Sequence, residues 1–299
     1  MNKNKFIRNL PLHIMLLPAL TFLFIYNYIP LVGNLMAFQR FNPVRGLFRS
    51  EWIGLSNFRY VMLMPGTFQV LWNTFYIAML KVIVGIVVPV SVALMLNEMR
   101  NIRYKRAVQT IIYFPHFISW VILSGVMVDI LSPSRGIVGL MFQALGLNAP
   151  FFLGDPTIFP YTLVVTHSWK EFGFGTIVYL TALTNIDPTL YEAAMIDGGN
   201  RWKQTLHITI PGILPIVMLM SILSMGNILN AGFDQVFNLY NPQVYKTGDI
   251  LDTLVYRLGL VDAQYGVATA VGLFKSVVSF VMLSISYALA YKFTDYRVF

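Results

Sequence analysis

The sequence predicts an all-α integral membrane protein with six transmembrane helices, and three observations predict it. First, 57% of the 299 residues are hydrophobic and only 11% are charged, where a soluble domain carries about a quarter charged residues. Second, the charges leave long gaps: no Asp, Glu, Lys or Arg lies between Arg8 and Arg40, between Arg106 and Asp129, or between Lys203 and Asp234. A helix crosses a bilayer with about 20 apolar residues, and each gap exceeds that. Third, the apolar runs are continuous, without the short alternating segments of a transmembrane barrel.

The expected spans run Leu10–Ala37, Gln69–Leu96, Ala107–Leu131, Tyr161–Leu183, Ile210–Phe237 and Ala268–Tyr291. Lys3, Lys5 and Arg8 before the first run also fit a signal peptide. The run is too long for one and no small-x-small cleavage site closes it, so it is read as a retained span. Pro30, Pro89, Pro115 and Gly226 fall inside spans, where neighbouring helices can satisfy the backbone groups they free. There is no internal repeat or linker, and residues 1–299 read as one membrane domain.

The net charge of +8 does not point to nucleic acid, because Lys and Arg flank apolar runs instead of forming one face. With six spans both termini share a side. Eleven basic residues fall there, including Arg100, Arg103, Lys105 and Arg106 in one short loop, against seven on the other side. The positive-inside rule therefore places both termini in the cytoplasm. The chain contains no cysteine, which excludes disulfides, thiolate catalysis and Cys-ligated metal. His116 and His167 lack a second ligand at suitable spacing, so no metal site is expected. No nucleophile–base constellation gathers the carboxylates, so an enzyme is not expected.

One loop differs from the rest. Asp187 suits a helix N-cap and Pro188 the first helical position. Leu190, Tyr191, Ala194 and Met195 form an apolar stripe, Gly198 and Gly199 supply a left-handed stop, and Asn200 caps a second short helix to about Ile208, with Pro211 ahead of the next span. The product is a compact helix–turn–helix at the cytoplasmic surface. It reads either as an amphipathic unit resting on lipid headgroups or as a knob for a groove on a soluble partner.

The spacing resolves that choice by resemblance. Glu192-Ala193-Ala194, three residues, Gly198, nine residues, then Ile208-Thr209-Ile210-Pro211 resembles the EAA loop of ABC importer permeases, with Ile210 in place of Leu as the one departure. The layout resembles the maltose-type sugar permeases, in their oligosaccharide and polysaccharide branch. That resemblance implies a coupling loop at about 187–211, in which Glu192 and Gly198 shape the elbow, Ala193 and Ala194 allow close approach, and Ile208 and Pro211 complete the motif. It implies a second homologous permease forming a heterodimer, two ATP-binding subunits, an extracytoplasmic solute-binding protein and a bacterial cytoplasmic membrane. The chain has no Gly-Lys pair and so no Walker A sequence; ATP and Mg are expected on the partner ATPase, and no cofactor on this chain.

Candidate path residues come from polar groups inside spans, which are costly there and face a bundle interior or a wet cavity. Trp169, Lys170 and Glu171 precede Phe172-Gly173-Phe174-Gly175 in the fourth span. Asn227, Asn230 and Asp234 recur at i, i+3 and i+7 on one expected helix face, with Phe233 and Phe237 beside it. Amides and aromatic rings suit a sugar, whose hydroxyls bond the former and whose C–H faces stack on the latter. The competing reading is interhelical packing glue. For Lys81 and Lys275, snorkelling or a structural ion pair is at least as good a reading as solute contact. Lys170 and the outer Arg40, Arg45, Arg49 and Arg59 could favour acidic sugars, or could pair with a binding protein or lipid phosphates. An ABC permease for another solute, or an ion-coupled secondary transporter, are the alternatives.

Overall fold

The computed structural model describes residues 9–226 and 228–294, with side chains to residue 288. They form two compact units: the chain up to Met64 with Val255–Phe274, and Pro65–Leu254 with the chain from Lys275 onward.

In the first unit, α1 (Leu10–Leu23) continues through a π-helical turn (Phe24–Tyr28) into a 3-10 segment (Ile29–Phe38). The change of ladder falls at Pro30, which has no N–H to donate and crowds the carbonyl four residues earlier. The whole length is apolar, and almost all of it is exposed on this chain, the pattern of a helix solvated by lipid or by another subunit. Strands β1 (Gln39–Arg40) and β2 (Glu51–Trp52) pair antiparallel, with Arg40 and Glu51 forming an exposed ion pair at 3.0 Å. Next comes α2 (Ser56–Leu63). Its buried Asn57 donates from Nδ2 to the carbonyls of Ala37 and Gln39, both at 2.9 Å, and so closes the end of the first span.

The second unit is built on α3 (Thr67–Asn97) and α7 (Phe159–Thr184). Between them lie α4 (Ile102–Tyr113), a 3-10 turn at Phe114–Phe117, α5 (Trp120–Ile130) and the short α6 (Ile137–Ala144). Ile77, Ala78, Leu123, Phe159 and Leu163 anchor one apolar cluster, and Ala93, Leu96, Tyr179, Leu183 and Ile213 a second. After α7 come α8 (Pro188–Ile196), α9 (Arg201–Gln204), α10 (Ile210–Gly226), α11 (Phe233–Leu239), α12 (Tyr245–Gly248), α13 (Leu251–Tyr256) and α14 (Tyr265–Thr294).

Among the described residues, four helical stretches are long and apolar enough to cross a bilayer: Leu10–Phe38, Thr67–Asn97, Arg201–Gly226 and Tyr265–Ala288. The expected continuous span Ala107–Leu131 is instead two helices, Ile102–Phe117 and Trp120–Ile130, bent by 106°. Pro115 ends the first, Ile118 is extended, and Ser119 caps the second through the Ile122 N–H. Helix α7 has 26 residues, about 39 Å at 1.5 Å per residue, but Lys170 and Glu171 interrupt its apolar run.

The expected span Ile210–Phe237 also breaks: α10 ends at Gly226 and helix resumes only at Phe233. Asn230 Oδ1 accepts the Gly232 N–H at 3.3 Å, and Gly232 adopts φ +88°, which an L side chain resists. A short polar side chain offering the backbone a local turn is what competes with the helical ladder here. Asn230 and Asp234 therefore do not share a helix face, because one lies in a loop and the other in the first turn of α11. Asn227 lies outside the described residues.

Candidate functional site

Two regions draw in the residues singled out above. The first is the turn between α8 and α9. Asp187 caps α8 by accepting the Thr189 N–H at 2.9 Å, and this backbone hydrogen bond holds its carboxyl below the usual range. Gly198 takes φ +75°, while the Gly199 N–H returns to the Ala194 carbonyl at 2.7 Å. Asn200 then caps α9 through the Lys203 N–H at 2.9 Å. Two contacts tie the turn to the body: the Arg201 guanidinium on the Glu98 carboxylate, and the Tyr191 hydroxyl on Thr209 Oγ1 at 3.0 Å.

Beyond α9 the chain differs from expectation. The second short helix does not stop near Ile208; a π turn at Thr205–Thr209 carries it directly into α10. The wider turn sits immediately before Pro211, which cannot donate to the preceding turn. Glu192, Ala193 and Gly198 are exposed, Ala194 and Ile208 are half-buried and Pro211 is exposed. Apolar side chains stand out beside them, with Ile196 87% and Trp202 74% exposed.

The second region is a cleft of about 500 Å³ between α3, α7 and the break after α10. Lys81 lies near the middle of α3 and is only 7% exposed. Its ammonium donates to the Ala231 carbonyl at 2.6 Å and to Gln235 Oε1 at 2.5 Å. Gln235, at 1% exposure, donates in turn to the Leu163 carbonyl and to Thr166 Oγ1, each at 2.8 Å. The amide thus bridges α7 and α11 and orients the lysine. Gly232 is the residue that fits here, since a Cβ would stand 3.2 Å from Lys81 Nζ.

A second polar chain holds the α4–α5 bend against α7. Lys170 donates to the His116 carbonyl at 2.8 Å and to Glu171 Oε1 at 2.9 Å. Glu171 Oε2 meets His116 Nδ1 at 2.7 Å. The His116 ring stacks on Phe174, with centroids 4.1 Å apart and planes 5° from parallel, and Lys170 stands over the Trp120 ring at 5.7 Å. The close crossing depends on Gly173, whose Cβ would collide with the Ile112 carbonyl.

Of the residues singled out as path candidates, Glu171 and Asn230 line this cleft, together with Lys81, His167, Phe174 and Gly232. Asn230 also lines an adjoining space of about 390 Å³ beside Lys275 and Ser279. Trp169, Lys170, Phe233 and Asp234 do not line the 500 Å³ cleft: Trp169 is exposed, Lys170 is buried in the bend, and Phe233 stacks on Phe237 at 5.2 Å. Gln235 escaped the sequence reading although it sits in the same apolar stretch. Its signal was a neutral amide next to Asp234, overshadowed by the charge.

A cleft between long helices that holds Lys81, His167 and Glu171, and an exposed turn with the Glu-Ala-Ala…Gly spacing, are the setting in which the comparisons are informative. The family described as binding-protein-dependent transport system inner membrane component matches residues 85–295. The chain belongs to this family. It is similar to Protein LplB of Bacillus subtilis (strain 168), 37% identical over 288 residues, covering 96% of this chain and 91% of the relative. It is similar also to the polygalacturonan/rhamnogalacturonan transport system permease protein YteP of the same organism, 36% identical over 295 residues, 99% of this chain and 92% of that one. Among solved structures, a chain of a bacterial ABC transporter involved in the import of the acidic polysaccharide alginate superposes with a TM-score of 0.90 at 37% identity, covering 97% of this chain and 98% of the other. The same transporter in complex with an alginate pentasaccharide-bound periplasmic protein gives a TM-score of 0.90 at 37% identity, with 99% of each chain covered. As a member of this family the chain is a multi-pass membrane permease component.

Proposed function

We propose that this chain forms half of the translocation path of an ATP-driven importer of oligosaccharides and couples that path to a separate ATPase. The observation that carries this is whole-length likeness: two sugar-related assignments at 36–37% identity, a polygalacturonan/rhamnogalacturonan permease and an alginate importer chain, each covering over 95% of this sequence. In this reading residues 1–299 act as one transmembrane domain with six crossings. Helix α7 and the bent α4–α5 pair supply two of them, and both termini face the cytoplasm, as the basic loops favour. The segment 187–211 is the coupling loop. Its exposed Ile196 and Trp202 beside small residues fit a knob entering a partner's groove. A second homologous permease, two ATP-binding subunits carrying ATP and Mg, and an extracytoplasmic binding protein complete the assembly; this chain contributes no catalytic site.

Affinity purification of the tagged chain from its native membranes tests this. The expected companions are an ATPase with a Walker A sequence and a second permease. Gly198→Glu, which puts a bulky charge on the elbow where nothing lies within 4 Å of a Cβ, is expected to lose the ATPase while retaining the permease. A chain that purifies alone even after crosslinking would reject the reading and bring a secondary transporter forward.

A further inference from the structure

Each of the two helix breaks in the second unit exposes a carbonyl inside the bundle, and each carbonyl receives a lysine. At the α4–α5 bend the lysine is Lys170, which also has a carboxylate, Glu171, at 2.9 Å. At the break after α10 it is Lys81, whose two acceptors, the Ala231 carbonyl and Gln235 Oε1, are both neutral. Among the described residues no carboxylate stands within 4.0 Å of Lys81. The one acid lining its cleft, Glu171, has both oxygens engaged, by Lys170 and by His116. An ammonium has three hydrogens to donate, so one remains after the two neutral acceptors are served. A lysine buried in a membrane bundle without a counter-charge is costly as a cation, and an arriving carboxylate favours its charged form.

We infer that Lys81 is the specificity-determining residue that reads a carboxylate on the passing solute, so that the cleft takes acidic oligosaccharides, such as uronic-acid chains, in preference to neutral ones. This rests on the oligosaccharide reading above and deepens it. Lys170, the more conspicuous lysine in the sequence, is spent on the bend and does not line the cleft. The neutral contacts from Ala231 and Gln235 hold the Lys81 amino group in place, and no carboxylate of the described residues competes for it. Phe174, one face of which is stacked on His116, lines the same cleft. The carboxylate therefore meets an amino group already held in position, and the charge-assisted hydrogen bond it forms is roughly twice as strong as a neutral one.

The test compares uptake, by cells carrying the complete importer and its binding protein, of an alginate pentasaccharide and of the same chain with its carboxyls reduced to alcohols. Wild type is expected to favour the acidic form. Lys81→Gln is expected to lower acidic uptake roughly tenfold, the equivalent of one charged contact, and to leave neutral uptake nearly unchanged; Lys81→Arg is expected to retain the preference. If Lys81→Gln fails to accumulate in the membrane, Asn230→Asp carries the test, because it keeps the acceptor for the Gly232 N–H and puts a competing carboxylate in the same cleft. Selective loss of acidic uptake there supports the inference. Equal loss of both probes in either variant, or no loss, overturns it and leaves Lys81 a staple for the loop, with the importer reading intact. Wild-type cells that take up neither probe would remove the oligosaccharide reading, and the inference with it.

Discussion

Lys170 Nζ lies 2.8 Å from the carbonyl oxygen of His116, at the point where α4 gives way to α5. The 3-10 turn at Phe114–Phe117 ends there, and Ile118 turns extended, so the His116 carbonyl has no following helical N–H to accept. Inside a membrane bundle an unpaired carbonyl costs several kcal/mol. The lysine on the neighbouring helix supplies the missing donor and is held by Glu171 on the next residue.

Lys170→Met is therefore expected to act on stability and not on solute charge. It leaves a buried carbonyl unsatisfied and removes the partner of Glu171, a loss of about 1–3 kcal/mol. A lower thermal midpoint of the purified complex checks this, together with parallel loss of acidic and neutral uptake. Selective loss of the acidic solute would contradict it.

Gly173 and Gly125 make a matched pair. A Cβ at Gly173 would collide with the Ile112 carbonyl, whereas at Gly125 nothing lies within 4 Å. Gly173→Ala is expected to push α7 away from α4, at about 1–3 kcal/mol for overpacking that backbone cannot relieve. Gly125→Ala, in the interior of α5, is expected to be neutral or to stabilise by about 0.5–1 kcal/mol by restricting the unfolded chain. Thermal unfolding of both variants separates the two expectations, and equal shifts would contradict the crossing geometry.

At Gly198 the constraint is conformation, since a side chain there has open space but must adopt φ +75°. Gly198→Ala is expected to cost about 1–2 kcal/mol in the turn, and Gly198→Asn less, because Asn visits the left-handed region more readily. Co-purification with the ATPase should fall in the order Gly, Asn, Ala, then Glu. If Ala matches the wild type, the positive φ has no part in docking.

The helices α3 and α14 were legible in the sequence because apolar runs of that length have one outcome in lipid, and α7 because only Lys170 and Glu171 interrupt its run. The turn at 187–200 was legible for another reason: Asp187, Pro188, Gly198 and Asn200 each impose a local geometry that tertiary packing does not override. The breaks at Phe117–Ser119 and after Gly226 were not legible. An apolar stretch has the same composition whether it runs straight or folds back, and Pro115 and Gly226 are tolerated in straight membrane helices as well. Missing the second break put Asn230 and Asp234 on one face. It also hid Gln235, whose importance comes from Lys81, Leu163 and Thr166, residues distant in sequence. Lys81 was ambiguous for the same reason: its partners lie 150 and 154 residues away.

Lys275 and Asp252 supply the last expectation. Their side chains meet at 2.5 Å and are each about one-fifth exposed, so the pair is structural where Lys81 is uncompensated. Breaking such a pair from one side strands the other charge, at about 3–5 kcal/mol when fully buried and less at this exposure. Lys275→Met and Asp252→Asn are each expected to lower the thermal midpoint, whereas the double variant is expected to recover part of the loss because neither charge is left alone. Strict additivity would show that the two charges do not interact in the folded protein. Because the same logic predicts no rescue of Lys81→Gln by any single carboxylate removal among the described residues, the contrast between the two lysines also separates an ion pair within the fold from a charge held for a ligand.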